Sequence, residues 1–329
     1  MDAQLIVIAF RGTEPFNADD WETDLDFSWY EFSQIGKVHL GFLEALGLAN
    51  RSQNPQIFDN HKEDPEKPLA YYVLSKKLKE LLQVHRNAKF IVTGHSLGGA
   101  LAVLFPAILF IQKEEALLEK MVGVYTFGQP RIGDQAFAKF MNKNINEAVP
   151  TYFRIVYCND LVPRLPFDDP IFEYKHFGVC LYYNSCYKEK VLILYSLQPE
   201  NLVSFLIQYF VQTHAHIKWF ILWQNLVEEP NRNFSLLYFI PLSINALWEL
   251  VQSSFLQYRK GRDFKETKLS TLFRIAGLII PGISSHSPVN YINAVRLGPS
   301  TLKPTMWRPQ RSLQISEETT YKRGDLIGM

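Results

Sequence analysis

Residues 90–100 read FIVTGHSLGGA: a short β-prone apolar run, a serine set between glycines, and the start of a second apolar run. Gly94-x-Ser96-x-Gly98 fits the G-x-S-x-G pattern and falls between a predicted strand and a predicted helix, the context that separates a nucleophile elbow from a chance match. A hydroxyl that is to attack a substrate must project from a very tight turn, where the serine takes strained backbone geometry and side chains at 94 and 98 would collide with neighbouring elements. Glycine at both positions removes the collision. The turn also places Ser96 at a helix N-terminus, where the N–H of Leu97 is available to a developing oxyanion. The competing reading is a glycine-rich turn with a helix-capping serine, since serine is a favoured N-cap.

On either side of this turn, apolar β-prone runs alternate with stretches of helical period. LIVIAF (5–10), KFIVT (89–93), MVGVYTF (121–127) and TYFRIVYC (151–158) read as strands. Val73, Leu74, Leu78, Leu81 and Leu82 fall at helix spacing, LAVLFPAILFI (101–111) reads as a buried helix and DQAFAKFMNKNI (134–145) as an amphipathic one. Strand and helix in turn predict an α/β fold with a mostly parallel central sheet covered by helices. Residues 50–68 are polar and proline-broken, a surface loop, and residues 299–329 form a polar tail. There is no internal repeat.

A serine hydroxyl needs a base, and the base needs a partner that fixes its tautomer. After an elbow of this kind the chain order is Ser, then Asp or Glu, then His, so the acid belongs at the end of a later strand. Asp160 follows the apolar run TYFRIVYC, at the carboxyl edge where sites on such sheets form. Asp168 and Asp169 compete, but PFDDP is a turn-forming cluster. Four of the eight histidines follow Asp160. His286 lies in GISSHSPVNYINAV, a loop leading into a short helix, which suits a residue that must reach Ser96; His176, in the strand-like FEYKHFGVCLYY, is the rival base. His214 and His216 form a HAH pair that suggests a metal, without a carboxylate or third histidine near them in sequence. His95 is the variable position of the elbow, and His61 lies in the polar loop.

The 329 residues are 47% hydrophobic, ample for a substantial core. With 34 basic and 33 acidic residues the net charge is +1, which leaves no whole-chain field for nucleic acid. Cys158, Cys180 and Cys186 have no metal-ligand spacing, and MDAQLIVIAF lacks the basic start and small-residue cleavage site of a secretory signal. A reduced intracellular setting is expected.

The motifs IAFRGT (8–13), DW with TDLDF (20–27), VHLGF (38–42), TGHSLGGALA (93–102), YTFGQPRIGD (125–134), NDLVPRLP (159–166) and SSHSPVNYINAVRLG (284–298) occur in this order. Together they resemble the class 3 triacylglycerol lipases, and within them the plant oil-body lipases. The resemblance implies an α/β-hydrolase fold with Ser96, Asp160 and His286 as catalytic triad and Thr13 beside Leu97 in the oxyanion hole. It places a lid after Thr13, in EPFNADDW (14–21), with Phe16 and Trp21 as its apolar groups. That window is acidic, with Glu14, Asp19, Asp20, Glu22, Asp24 and Asp26: either a solvated face or a source of repulsion that helps expel a fatty-acid anion. The family carries further strands and helices ahead of the strand before Arg11, so the fold is expected to be N-terminally shortened.

Between Asp160 and His286 lie VLILYSLQPENLVSFLIQYFVQTHAHIKWFILWQNLVEE (191–229) and FSLLYFIPLSINALWELVQSSFLQY (234–258). The second reaches the roughly 20 residues of a membrane span, yet Asn245 and Glu249 sit inside it. An acidic group at bilayer centre costs about 2.5–3.5 kcal/mol on insertion scales. Helices lying in a lipid surface are expected instead, with a helical cap buried against the core as the alternative. The expected organisation is one domain over 1–298 with an apolar insertion at about 187–275. The expected function is triacylglycerol hydrolysis at the lipid-droplet surface, without metal or organic cofactor. The alternatives are a phospholipase A1 or galactolipase, and a catalytically weak lipase-like scaffold.

Overall fold

The computed structural model describes residues 4–12, 28–32, 35–49, 69–148, 152–166, 173–193 and 239–298. Thr13, Phe16, Trp21, the acidic window, the 50–68 loop, Asp168, Asp169, His214, His216, residues 194–238 of the insertion and the tail lie outside them.

The elements follow in chain order as β1 (Leu5–Phe10), β2 (Trp29–Phe32), β3 (Gly36–His39), α1 (Leu40–Ala45), α2 (Ala70–Val84), β4 (Lys89–His95) and α3 (Leu97–Ile111). Then come α4 (Glu115–Leu118), β5 (Met121–Phe127), α5 (Gln135–Ala148), β6 (Tyr152–Tyr157), β7 (Val179–Tyr183), β8 (Glu189–Ile193), α6 (Phe239–Lys260), α7 (Lys268–Ala276) and α8 (Pro288–Leu297). A six-stranded sheet runs β1-β4-β5-β6-β7-β8. Its strands pair in parallel from β1 through β7, and β8 returns antiparallel as a hairpin partner. The predicted strands and helices thus fall where the periodicity placed them. One stretch is shorter than expected: FEYKHFGVCLYY is strand only from Val179, because the chain turns at Gly178 with φ 75°, and His176 lies ahead of the strand.

β4 holds an inner position, second of the six strands, so its carboxyl end is flanked by β1 on one side and β5 on the other. The helix that follows is buried along nearly its whole length, from Gly98 through Phe110, and packs against β1, β4, β5 and α1. Each large apolar side chain so buried contributes about 1.5–3 kcal/mol, which fixes α3 firmly enough to offset a strained residue at its start. α8 packs on β6.

The order of polarity in α6 is inverted. Asn245, Glu249 and Ser253 are buried, whereas Ile244, Leu247, Trp248, Val251, Phe255 and Tyr258 are exposed at helical spacing. Leu278, Ile279 and Ile280, just beyond α7, are exposed as well. Among the described residues no helix is long and apolar enough to cross a membrane.

Candidate active site

Ser96 joins β4 to α3 with φ 59° and ψ −131°, a strained conformation for a residue with a side chain. The turn closes because nothing projects from its glycines: a Cβ on Gly94 would enter the Gly98 carbonyl group, and one on Gly98 would enter the Phe10 carbonyl oxygen. The Ser96 N–H donates to the Phe127 carbonyl, 2.9 Å, tying the elbow to β5. Leu97 is the first residue of α3, so its N–H belongs to the helix N-terminus next to the Ser96 hydroxyl.

The structure brings Ser96, His286 and Asp160 together across 190 residues of chain. His286 Nε2 lies 2.8 Å from Ser96 Oγ, and its Nδ1 lies 2.9 and 3.0 Å from the two oxygens of Asp160. Asp160 is fully buried; its carboxylate also accepts from the Val162 N–H, 2.9 Å, and from the Tyr291 hydroxyl. Three donors, making four contacts with the two oxygens, fix the carboxylate, which in turn fixes the imidazole with Nε2 toward the serine. His286 closes the short 3-10 turn Ser284–His286 that leads into α8, and Tyr291 stands on the first turns of that helix.

Gly128 follows β5 with φ 57°. A Cβ there would lie 2.8 Å from an Asp160 oxygen and 3.0 Å from the His286 ring, so the residue must be glycine both for its backbone and for space.

Among the described residues, His176 and His95 have partners of their own. The His176 ring nitrogen Nε2 lies 2.6 Å from the Pro163 carbonyl oxygen, and burial, reinforced by Arg154, holds its pKa well below the ordinary value. The His95 Nε2 lies 3.0 Å from the His286 carbonyl oxygen with the two rings 4.6 Å apart. Burial, and then the neighbouring His286, pushes His95 down to about 3. Both are neutral donors rather than bases. Sequence reasoning passed over Tyr291 and the anchoring role of His95; a tyrosine five residues beyond the candidate base was the one available sign of the first.

A mostly parallel sheet in which an inner strand runs through a strained Gly-x-Ser-x-Gly turn into a buried helix is an α/β-hydrolase fold. The chain belongs to the class 3 lipase family: the family description "Lipase (class 3)" matches residues 7–169. It is 42% identical to triacylglycerol lipase OBL1 of Nicotiana tabacum, over 90% of this chain and 56% of that one. The protein of the same name from Arabidopsis thaliana is 46% identical, over 91% of this chain and 54% of its own. The chain therefore spans about half the length of the curated relatives it matches. Among solved structures, the native Rhizomucor miehei lipase propeptide complex aligns at 31% identity over 57% of this chain and 51% of that chain, with a TM-score of 0.42.

Proposed function

We propose that this chain hydrolyses long-chain acylglycerol esters at a lipid surface through a covalent acyl-enzyme. The observation that carries the reading is the continuous path from Asp160 through His286 to the Ser96 hydroxyl, with bonds of 2.9 and 2.8 Å. In this reading Ser96 Oγ attacks the ester carbonyl while His286 Nε2 takes its proton, and Asp160 stabilises the imidazolium. The Leu97 N–H receives the oxyanion, together with Thr13. One such donor is worth about 10²–10³ in turnover. His286 then returns the proton to the glycerol oxygen, the alcohol leaves, and a water activated by the same histidine cleaves the acyl-enzyme. These steps need neither metal nor organic cofactor.

The substrate class rests on the relatives named as triacylglycerol lipases. The lipid surface rests on the exposed apolar stripe of α6 and the Leu278–Ile280 turn, a patch of the kind that marks membrane or protein contact. We place the chain at the lipid-droplet surface on that basis, with Phe16 and Trp21 as apolar lid residues. Turnover of emulsified triacylglycerol, phospholipid and galactolipid, measured side by side for the parent and Ser96→Ala, tests the reading. Triacylglycerol turnover that disappears in the variant is the expected result. A preference for phospholipid or galactolipid would replace the substrate class, and activity that survives in the variant would remove the triad.

A further inference from the structure

A second buried polar cluster lies beneath the turn that carries His286, and its centre is Glu249 of α6, 2% exposed. One oxygen of its carboxylate accepts from the Ser284 hydroxyl and the other from the Ser285 hydroxyl, each at 3.2 Å. Asn245, one turn earlier on α6, donates to the same carboxylate at 3.3 Å and to Cys158 Sγ at 3.0 Å, two residues ahead of Asp160. Arg274 of α7 lies 3.8 Å from the Glu249 carboxylate and donates to the Asn290 side-chain oxygen at 2.7 Å; Asn290 in turn donates to the Ser284 carbonyl at 2.7 Å. Glu266, 3.2 Å from Arg274, completes the charges.

Such a cluster is a poor device for stability alone. Desolvating a buried ion pair commonly costs as much as the pair returns, and well-packed apolar side chains in its place are often neutral or stabilising. What an apolar replacement lacks is direction. Here the direction is specific: both hydroxyls and one carbonyl of residues 284 and 285 are held, from α6 on one side and from α7 through Asn290 on the other, immediately ahead of the histidine that must meet Ser96.

We propose that Glu249, supported by Arg274 and Asn290, is a positioning residue for His286: it fixes the 284–286 turn so that Nε2 stays within bonding distance of Ser96. The inference rests on the hydrolase reading above and adds a residue from the insertion to its machinery. A misplacement of about 1 Å costs on the order of 10²-fold in rate, so loosening this turn acts on turnover while substrate binding is left alone.

The test uses the full chain with Glu249→Gln, which keeps the shape and removes the charge, and Ser285→Ala, which leaves every charge paired and so keeps the fold even if the first variant fails to. Steady-state hydrolysis of a soluble p-nitrophenyl ester and the rate of labelling of Ser96 by a serine-directed phosphonate are read well below the melting temperature. The expected result is a fall of about tenfold or more in kcat and in labelling rate, with KM unchanged. Folded Ser285→Ala reacting at the parent rate would overturn the positioning role, as would a loss confined to KM. A parent chain that neither labels at Ser96 nor hydrolyses the ester would overturn the hydrolase reading itself, a result distinguishable from the other two.

Discussion

The side chain of His95 bonds to the backbone of His286: Nε2 of the first lies 3.0 Å from the carbonyl oxygen of the second. Because His95 immediately precedes Ser96, the residue before the candidate nucleophile holds the main chain of the candidate base. His95→Phe keeps a ring beside His286 but leaves that carbonyl without its donor. Turnover of a soluble ester is expected to drop about tenfold at constant KM, and steady-state kinetics of the folded variant check it.

The Ser96 to His286 bond makes those two residues one unit. Ser96→Ala and His286→Ala are each expected to lower kcat by about four orders of magnitude or more, and the double variant scarcely further. His176→Ala should retain turnover, since its ring is committed to the Pro163 carbonyl. Multiplicative losses in the double variant would show that the two act separately.

Gly128 gives a prediction about space. An added methyl meets the Asp160 carboxylate and the His286 ring at once, on a backbone with φ 57°. Gly128→Ala is expected to cost about 1 kcal/mol or more of stability for the backbone alone, and to slow phosphonate labelling of Ser96. Urea unfolding and labelling kinetics read the two effects independently; a variant with the parent's labelling rate would show that acid and base tolerate the intrusion.

How much of this arrangement could be read from the chain depends on the range of each signal. The elbow is local, so Gly94, Ser96 and Gly98 were legible with the strand and helix around them. Asp160 was legible because it follows an apolar run at the right edge of the sheet. His286 was separable from His176 only by its loop position and by the family motifs. Tyr291 offered only its spacing from the candidate base and Asn290 no sign at all, since their partners at Asp160 and Arg274 are remote in sequence. Asn245 and Glu249 were noticed merely as polar interruptions in an apolar run. Their burial beneath the 284–286 turn depends on where α6 packs, and no periodicity in α6 itself states which face will meet the protein.

The depressed pKa values of His95 and His176 set the sign of a pH effect. Both are neutral when folded, whereas an unfolded histidine takes up its proton near pH 6.5. Their stabilisation is therefore whole above about pH 6.5 and drains as the pH falls toward the folded values, with a slope of about 1.4 kcal/mol per pH unit for each proton. Glu249, whose carboxyl is raised by burial against the opposing pull of Arg274, works in the opposite sense. His176→Gln keeps a donor for the Pro163 carbonyl and removes one titrating group. Denaturant unfolding between pH 7 and pH 5 should give the variant the shallower slope by about one proton, with the Glu249 contribution cancelling between the two proteins. Parallel slopes would mean that His176 takes up its proton in the folded chain over the same pH range as in the unfolded one.

The inverted polarity of α6 has a practical side for anyone who wants this chain in water. A greasy helix in an insertion invites removal, and a deletion that took α6 would carry away the Glu249 carboxylate from beneath the serines it holds. Its outward stripe, Trp248, Val251 and Phe255 among them, shares no residue with that grip. Water-soluble preparations are to be sought by charge substitutions along that stripe, with the helix itself left in place.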